Sequence, residues 1–389
     1  MKPVIIIGSG TAGYAVAREL RKLDHQVAIT IISRDSGDFY SKPMLSNAFH
    51  LKKDAASLVN FTTEQMAAQL NATILSHAEV EAVDTHSYTV TVKAAGASTV
   101  LPYRSLVLAL GADQRRIELG GDAAGDILTV NDLDDYARFR AALEGCRRVA
   151  ILGAGLIGCE FANDLVTGGF SVSLVDPAAW PLSRLLPEAQ GRAMAAALHG
   201  LGVGLHLGRT PQSVERKDGA CLVRMSGGEA LEVDRVVASI GLVPRTSLAK
   251  SAGIAVARGI AVDGWLGTSA PDVYALGDCA EVEGTLLPYV MPIMFAARAL
   301  ARTLYGEATR VAYPVMPVQV KTPALPALVV APPDVVEGRW QATAADIAHD
   351  GTGVWEYRNA RNEMHGFALL GEHVKQKGTL LTAMAPWRR

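Results

Sequence analysis

The apolar positions begin as an unbroken run, Val4-Ile5-Ile6-Ile7, the pattern of a strand buried on both faces. Gly8 closes it. From Tyr14 to Leu23, Ala, Val and Leu recur at helical spacing, and Val27 to Ile32 is again β-branched. The stretch reads strand, helix, strand. The same order returns further along: Arg147 to Leu152 as a strand, Cys159 to Val166 as a helix, and Ser171 to Val175 as the returning strand. Repeated βαβ units predict an α/β chain with two Rossmann-like domains.

A glycine pattern sits at each strand-to-helix joint. Gly8-Ser9-Gly10-Thr11-Ala12-Gly13 and Gly153-Ala154-Gly155-Leu156-Ile157-Gly158 are both GxGxxG. Taken alone, such a pattern is also found in ordinary glycine-rich turns, but here each lies inside a complete βαβ unit. The first glycine permits the tight turn. The second lets the backbone approach a pyrophosphate, and the third lets helix and strand pack closely. The helix N-terminus adds N–H donors and a partial positive charge. Two complete patterns 145 residues apart predict two dinucleotide sites on one polypeptide.

An acidic residue about 20 positions further on would bind a ribose diol. Asp176, 18 residues beyond Gly158, ends the second returning strand. Its carboxylate would accept from a 2′-OH and repel a 2′-phosphate. No Arg or Lys follows before Arg184, so NADH is expected over NADPH at that site. In the first unit the candidate is Asp35, 22 residues after Gly13 and preceded by Ser33-Arg34; a turn-capping Asp fits the same place. Gly277-Asp278 follows the short apolar run Val273 to Leu276, where a carboxylate beside a glycine could reach a polyol.

Composition narrows the class. A chain of 389 residues exceeds one ordinary core and predicts two or three domains. Apolar residues at 49% exclude a disordered chain. Thirty-seven basic against 39 acidic residues, a net charge of −2, remove the bulk electrostatic case for nucleic acid. Cys146, Cys159, Cys221 and Cys279 include no CxxC, which argues against a disulfide scaffold or a zinc site. No apolar stretch reaches the length of a membrane span, and the first is too short for a signal peptide. A reduced, cytoplasmic setting is the expectation.

These motifs, with Leu106-Val107-Leu108-Ala109-Leu110-Gly111-Ala112, Gly241-Leu242-Val243-Pro244-Arg245 and Tyr274-Ala275-Leu276-Gly277-Asp278-Cys279-Ala280, resemble the two-dinucleotide flavoprotein disulfide reductase superfamily (glutathione-reductase-like). Within it, Phe39 to Ser46, Gly153 to Asp164 and Tyr289 to Met294 are most similar to the rubredoxin–NAD⁺ reductases; the last 70 or so residues match more weakly. The resemblance implies FAD at the first site and NAD(H) at the second. By position, Ser9 to Gly13, Ser33, Arg34 and Asp35 would contact the FAD adenosine and pyrophosphate, and Val80 the adenine end. Lys42 would lie beside the flavin, Asp278 on the ribityl chain, and Val290 and Lys321 at the pyrimidine edge. Glu160 would face Lys42.

Disulfide-reducing members carry a cysteine pair after the first GxGxxG. No cysteine occurs here from Tyr14 to Phe49, so electrons would leave the flavin directly for a one-electron carrier. The resemblance implies rubredoxin, a small acidic iron–sulfur protein, serving alkane hydroxylation or oxidative-stress defence. A ferredoxin or flavorubredoxin is the alternative acceptor, and an NADH-sensing flavoprotein ranks last. Expected domains are 1–113 with 246–315 for FAD, 114–245 for NADH, and a small α/β C-terminal domain, 316–389, near the flavin and acceptor.

Overall fold

Val4–Ile7 is the middle strand of a five-stranded parallel sheet in the computed structural model, which describes residues 2–333, 335–343 and 351–384. The strand order is Val273–Ala275, Ser105–Leu108, Val4–Ile7, Ile29–Ile32, Thr73–Leu75. Every residue of Val4–Ile7 and Ser105–Leu108 is buried, as a central strand covered on both faces requires. The helix Thr11–Leu23 buries Tyr14, Val16, Ala17 and Leu20 and packs along a second helix, Val290–Tyr305. It stops at Asp24, whose carboxylate accepts from the Gln26 and Val27 N–H groups and turns the chain toward the next strand. An antiparallel meander, Ala78–Asp84, Thr89–Ala94 and Ala97–Pro102, completes this part.

A second parallel sheet has the order Gly204–Leu207, Ser171–Asp176, Arg148–Leu152, Arg235–Ala238. It too carries an antiparallel meander, Pro211–Lys217, Ala220–Met225 and Ala230–Val233. The C-terminal residues form a five-stranded antiparallel sheet: Val318–Val320, Ala327–Val330, Met364–Leu370, Val354–Asn359, Gly338–Ala342. Leu380, on the short helix Lys377–Ala383, joins Leu328, Val330, Phe367 and Leu369 in its core. The Gln190 amide, fully buried on helix Glu188–Leu201, donates to Gly353 O and Ala368 O at 3.0 and 3.1 Å and ties that helix to this sheet.

Contacts divide the chain into two compact units. The first holds residues up to Lys42, Ser57–Asp113 and Leu242–Tyr313. The second holds Pro43–Ala56, Gln114–Gly241 and the chain from Pro314 onward. The stretch Pro43–Ala56, which the sequence places with its neighbours in the first part, clusters instead with the second. Its polar contacts, described below, are the reason. Among the described residues, no helix is long and apolar enough to cross a membrane, and no cluster of His, Cys, Asp and Glu could hold a metal ion.

Candidate functional site

Sterics fix the first glycine loop. A Cβ on Gly8, at φ +114°, would stand 2.2 Å from Ala109 O, and one on Gly13 would stand 1.9 Å from Gly8 O. Neither position admits a side chain. Gly10 has no atom within 4 Å of its missing Cβ, so the backbone there is open to approach. The helix that follows has neither a side-chain cap nor an acidic residue in its first turn. Its N–H groups and positive dipole end therefore suit an anion.

Three candidate residues converge beside this loop. Ser9 Oγ lies 2.5 Å from Ser33 Oγ, and the Ser33 hydroxyl donates to Asp35 Oδ1 at 2.5 Å. Asp35 Oδ1 also accepts from Gly37 N at 3.0 Å. Ser33 O and Asp35 O receive the Ala78 and His77 N–H groups, which starts the strand carrying Val80 next to them. Arg34 is exposed between Ser33 and Asp35. Asp35 is thus both a turn-stabilising residue and a member of the cluster.

Gly277, at φ +80°, presents a missing Cβ only 2.9 Å from Ala12 Cβ, so Asp278 follows directly alongside the first glycine helix. Burial raises the Asp278 pKa, while the charges of Lys42 and Arg245 oppose that rise. Lys42 itself opens a short 3₁₀ turn, Lys42–Met44. Arg245 is held by Asp113 Oδ1 at 2.6 Å and by Leu110 O at 2.9 Å. Val290 and Met291 are 42% and 47% exposed in the first turn of helix Val290–Tyr305, which again lacks a side-chain cap and an acidic residue.

The second loop repeats the steric logic. A Cβ on Gly153, at φ +104°, would stand 2.6 Å from Ser239 O, and one on Gly158 would stand 1.8 Å from Gly153 O. Gly155 and Gly241 have nothing within 4 Å. Leu156 and Ile157 open the helix Leu156–Thr167, which has no side-chain cap and no acidic residue in its first turn. Asp176 accepts from Ala154 N at 2.6 Å and from Ala178 N at 2.7 Å. It therefore holds the loop's shape, and each oxygen keeps acceptor capacity for a diol.

Glu160 lies on that helix with no exposed side-chain surface. Its Oε2 accepts from the Ser46 hydroxyl at 2.5 Å and the Asn47 amide at 3.2 Å, and its Oε1 from Lys321 N at 2.9 Å. The Lys321 ammonium lies 3.5 Å from Oε2 and donates to Pro43 O. The cation that meets Glu160 within this unit is Lys321. One turn on, buried Asp164 accepts from Phe49 N at 2.9 Å, His50 N at 3.1 Å and His50 Nδ1. Asn163 Oδ1 accepts from Ala324 N at 3.0 Å. The helix thus grips residues 46–50 and the chain just after Lys321.

Sequence reasoning missed Ser46, Asn47, Asn163 and Asp164. A signal was present: in an otherwise apolar helix, Glu160, Asn163 and Asp164 recur at helical spacing on one face. Polar residues on a buried face need partners, and the partners had to come from elsewhere in the chain.

Residues 2–302 match the family described as pyridine nucleotide-disulphide oxidoreductase, and residues 310–384 match the rubredoxin binding C-terminal domain. The chain is 47% identical to the rubredoxin-NAD(+) reductase of Alcanivorax borkumensis, over 97% of each chain. It is 43% identical to that of Acinetobacter baylyi, over 99% of this chain and 98% of the relative. Among solved structures, the covalent putidaredoxin reductase–putidaredoxin complex is similar, with a TM-score of 0.87 at 24% identity, covering 99% of this chain and 94% of that one. With two glycine loops built to the same steric rule and a family match over most of its length, the chain belongs to the pyridine nucleotide-disulphide oxidoreductase family.

Proposed function

We propose that this protein carries electrons from NADH through FAD to rubredoxin. The reading is carried by the 47% identity, over 97% of each chain, with a rubredoxin-NAD(+) reductase. The match at residues 310–384 supports the acceptor. Two open glycines at uncapped helix N-termini fit two pyrophosphates, which supports two dinucleotides on one chain.

In this reading the FAD pyrophosphate rests on Ser9 to Gly13, its adenosine on Ser33, Arg34, Asp35 and the Val80 backbone, and its ribityl chain on Asp278. Lys42 and the first turn at Val290 serve the ring. Gly153, Gly155, Leu156, Ile157, Gly158 and Gly241 receive NADH, and Asp176 takes its adenosine ribose. Bound FAD supplies a ring that accepts a hydride and gives electrons up singly. The chain's part is geometry and electrostatics: in the first unit Lys42 favours negative charge at the ring, and in the second Glu160 keeps Lys321 in place. The proposed division is 1–113 with 246–315 for FAD, 114–245 for NADH, and 316–389 for the carrier, with residues 43–56 serving the second unit. Cysteines without a pairing motif fit a reducing cytoplasm, and the carrier would feed alkane hydroxylation or oxidative-stress defence.

Steady-state turnover with purified carriers tests the reading. Rubredoxin should be reduced at least about tenfold faster than a ferredoxin or a flavorubredoxin at equal concentration and salt, a transition-state preference of about 1.4 kcal/mol. Faster reduction of either competitor overturns the acceptor. A flavin reduced by NADH that no carrier reoxidises overturns the electron-transfer role.

A further inference from the structure

We propose that Tyr14 is a positioning residue: by holding the Gly37 carbonyl from inside the fold, it aims the Asp35 carboxylate at the adenosine ribose of the flavin dinucleotide. The inference rests on the preceding reading, in which that adenosine lies on Asp35. Tyr14, Asp35, Gly37 and the residues that hold them all belong to the first unit.

The chain's own residues support a ribose at this place. The loop Gly8 to Gly13 leaves Gly10 open at an uncapped helix start, and Asp35 follows the adjacent parallel strand Ile29–Ile32, where an acid meets the ribose of a bound dinucleotide. Among the described residues, the donors to Asp35 fall on Oδ1: the Ser33 hydroxyl at 2.5 Å, Gly37 N at 3.0 Å and the Ser9 hydroxyl at 3.3 Å. Oδ2 is the oxygen left for a ribose hydroxyl. Ser33 gives its one proton to Asp35, so Ser9 is the donor in its 2.5 Å contact with Ser33 Oγ. The glycine loop is thereby tied to the carboxylate.

Gly37 is gripped at both ends. Its N–H holds Asp35 Oδ1, and its carbonyl accepts from the Tyr14 hydroxyl. Gly37 is buried, at φ +80°, and Tyr14 exposes no surface. Burial, with the charges of Asp35 and Asp38, raises the Tyr14 pKa, so the phenol stays protonated and donates at neutral pH. Tyr14 comes directly after Gly13, so the first turn of one helix carries both the phosphate-facing N–H groups and the clamp on the ribose loop. The preceding carbonyl, Ser36 O, accepts from Thr63 Oγ1 at 2.5 Å, a second hold on the same turn. The Tyr14 ring packs edge-on against Phe39 with centroids 5.7 Å apart, a contact that a Phe ring would keep. A buried carbonyl left without a donor is unfavourable, so without the phenol oxygen the turn shifts toward water. Gly37 N then moves off Oδ1, and the carboxylate is no longer aimed.

The test titrates the full chain, freed of flavin, with FAD and with a flavin dinucleotide that carries 2′,3′-dideoxyadenosine. Dissociation constants are read from flavin fluorescence. The analogue keeps the flavin and the pyrophosphate and lacks the hydroxyls that Asp35 would bind. The wild type should bind it about tenfold more weakly than FAD, the loss of a hydrogen bond to a charged group. Tyr14→Phe should weaken FAD about fivefold and leave the analogue within about 1.5-fold, whereas a role in folding alone would weaken both alike. Thr63→Val should show the same selective loss, and it keeps the test decisive if Tyr14→Phe folds poorly. In an Asp35→Ala background Tyr14→Phe should add nothing. Unchanged FAD affinity in both variants, equal loss for the two dinucleotides, or full additivity with Asp35→Ala overturns the proposal. If the wild type binds FAD and the analogue equally, the assignment of Asp35 to the ribose is what has failed.

Discussion

Asp164 lies one helical turn beyond Glu160 on Leu156–Thr167, and neither carboxylate exposes any side-chain surface. Both are satisfied by donors from residues 46–50, so one helix face holds one loop at two points. Truncating Asp164 to Ala leaves the part-buried Phe49 and His50 donors without their acceptor. Loss of hydrogen bonds to a charged group typically costs about 1.5–3 kcal/mol. Asp164→Ala should lower the urea midpoint accordingly, and Asp164→Asn by less, since its amide oxygen still accepts. A loss below about 1 kcal/mol in Asp164→Ala would show that the loop does not depend on this anchor.

Asp176 serves two masters, the loop amide of Ala154 and the proposed ribose diol. Asp176→Ala should raise the KM for NADH about tenfold, roughly 1.4 kcal/mol, and narrow the preference over NADPH. Kinetics with both nucleotides check this. Unchanged discrimination would confine Asp176 to shaping the glycine loop.

Asp278 sits where burial raises its pKa against the opposing charges of Lys42 and Arg245. Its protonation on acidification therefore begins above the ordinary aspartate range. If its carboxylate accepts from the ribityl hydroxyls, FAD should be released as pH falls through that window. Asp278→Ala should bind FAD at least about tenfold more weakly at neutral pH, the loss of a charged acceptor. Absorbance after gel filtration across pH measures both; full flavin retention by the variant would remove Asp278 from the site.

Asp234 links the two edge-adjacent strands at their start. Burial pushes its pKa up, but the N–H groups of Arg147 and Arg148 and the Arg148 guanidinium carry it down to about 2. A folded value below the unfolded one means that the stabilisation is complete above about pH 4 and is lost as pH falls through about 2. Allowing for solvent screening of the half-exposed Arg148, the gain is about 1–2 kcal/mol. Asp234→Asn should cost that much at pH 7 and little near pH 2, by thermal or urea unfolding at both.

The cysteines give a negative expectation. Cys159 and Cys279 are fully buried, and burial raises both thiol pKa values, that of Cys279 to about 11. At neutral pH thiolate is scarce, so neither is a ready nucleophile. Native protein should keep its carrier-reduction rate after iodoacetamide, and Cys159→Ala with Cys279→Ala should cost about 1 kcal/mol each in packing while retaining turnover. Loss of turnover in either variant would reinstate a thiol relay.

The two glycine loops were legible from residue order because their constraint is local. Gly13 must meet Gly8 O, and Gly158 must meet Gly153 O, within five residues of chain. A period of helix and strand suffices to place them, and the same holds for Asp176 at a strand end. Asp278 was legible as a motif, but its neighbours Lys42 and Arg245 were not, because they come from distant parts of the chain.

What the sequence determined by itself was therefore the pair of βαβ units, their phosphate-facing glycines and the absence of a cysteine pair, since each rests on sterics or chemistry among neighbours in the chain. What only the tertiary structure decided was the company of Glu160. Ser46, Asn47 and Lys321 stand 114, 113 and 161 residues from it, and no local pattern encodes such a meeting. A buried charge announces that it needs partners; which partners arrive is settled by how the whole chain packs.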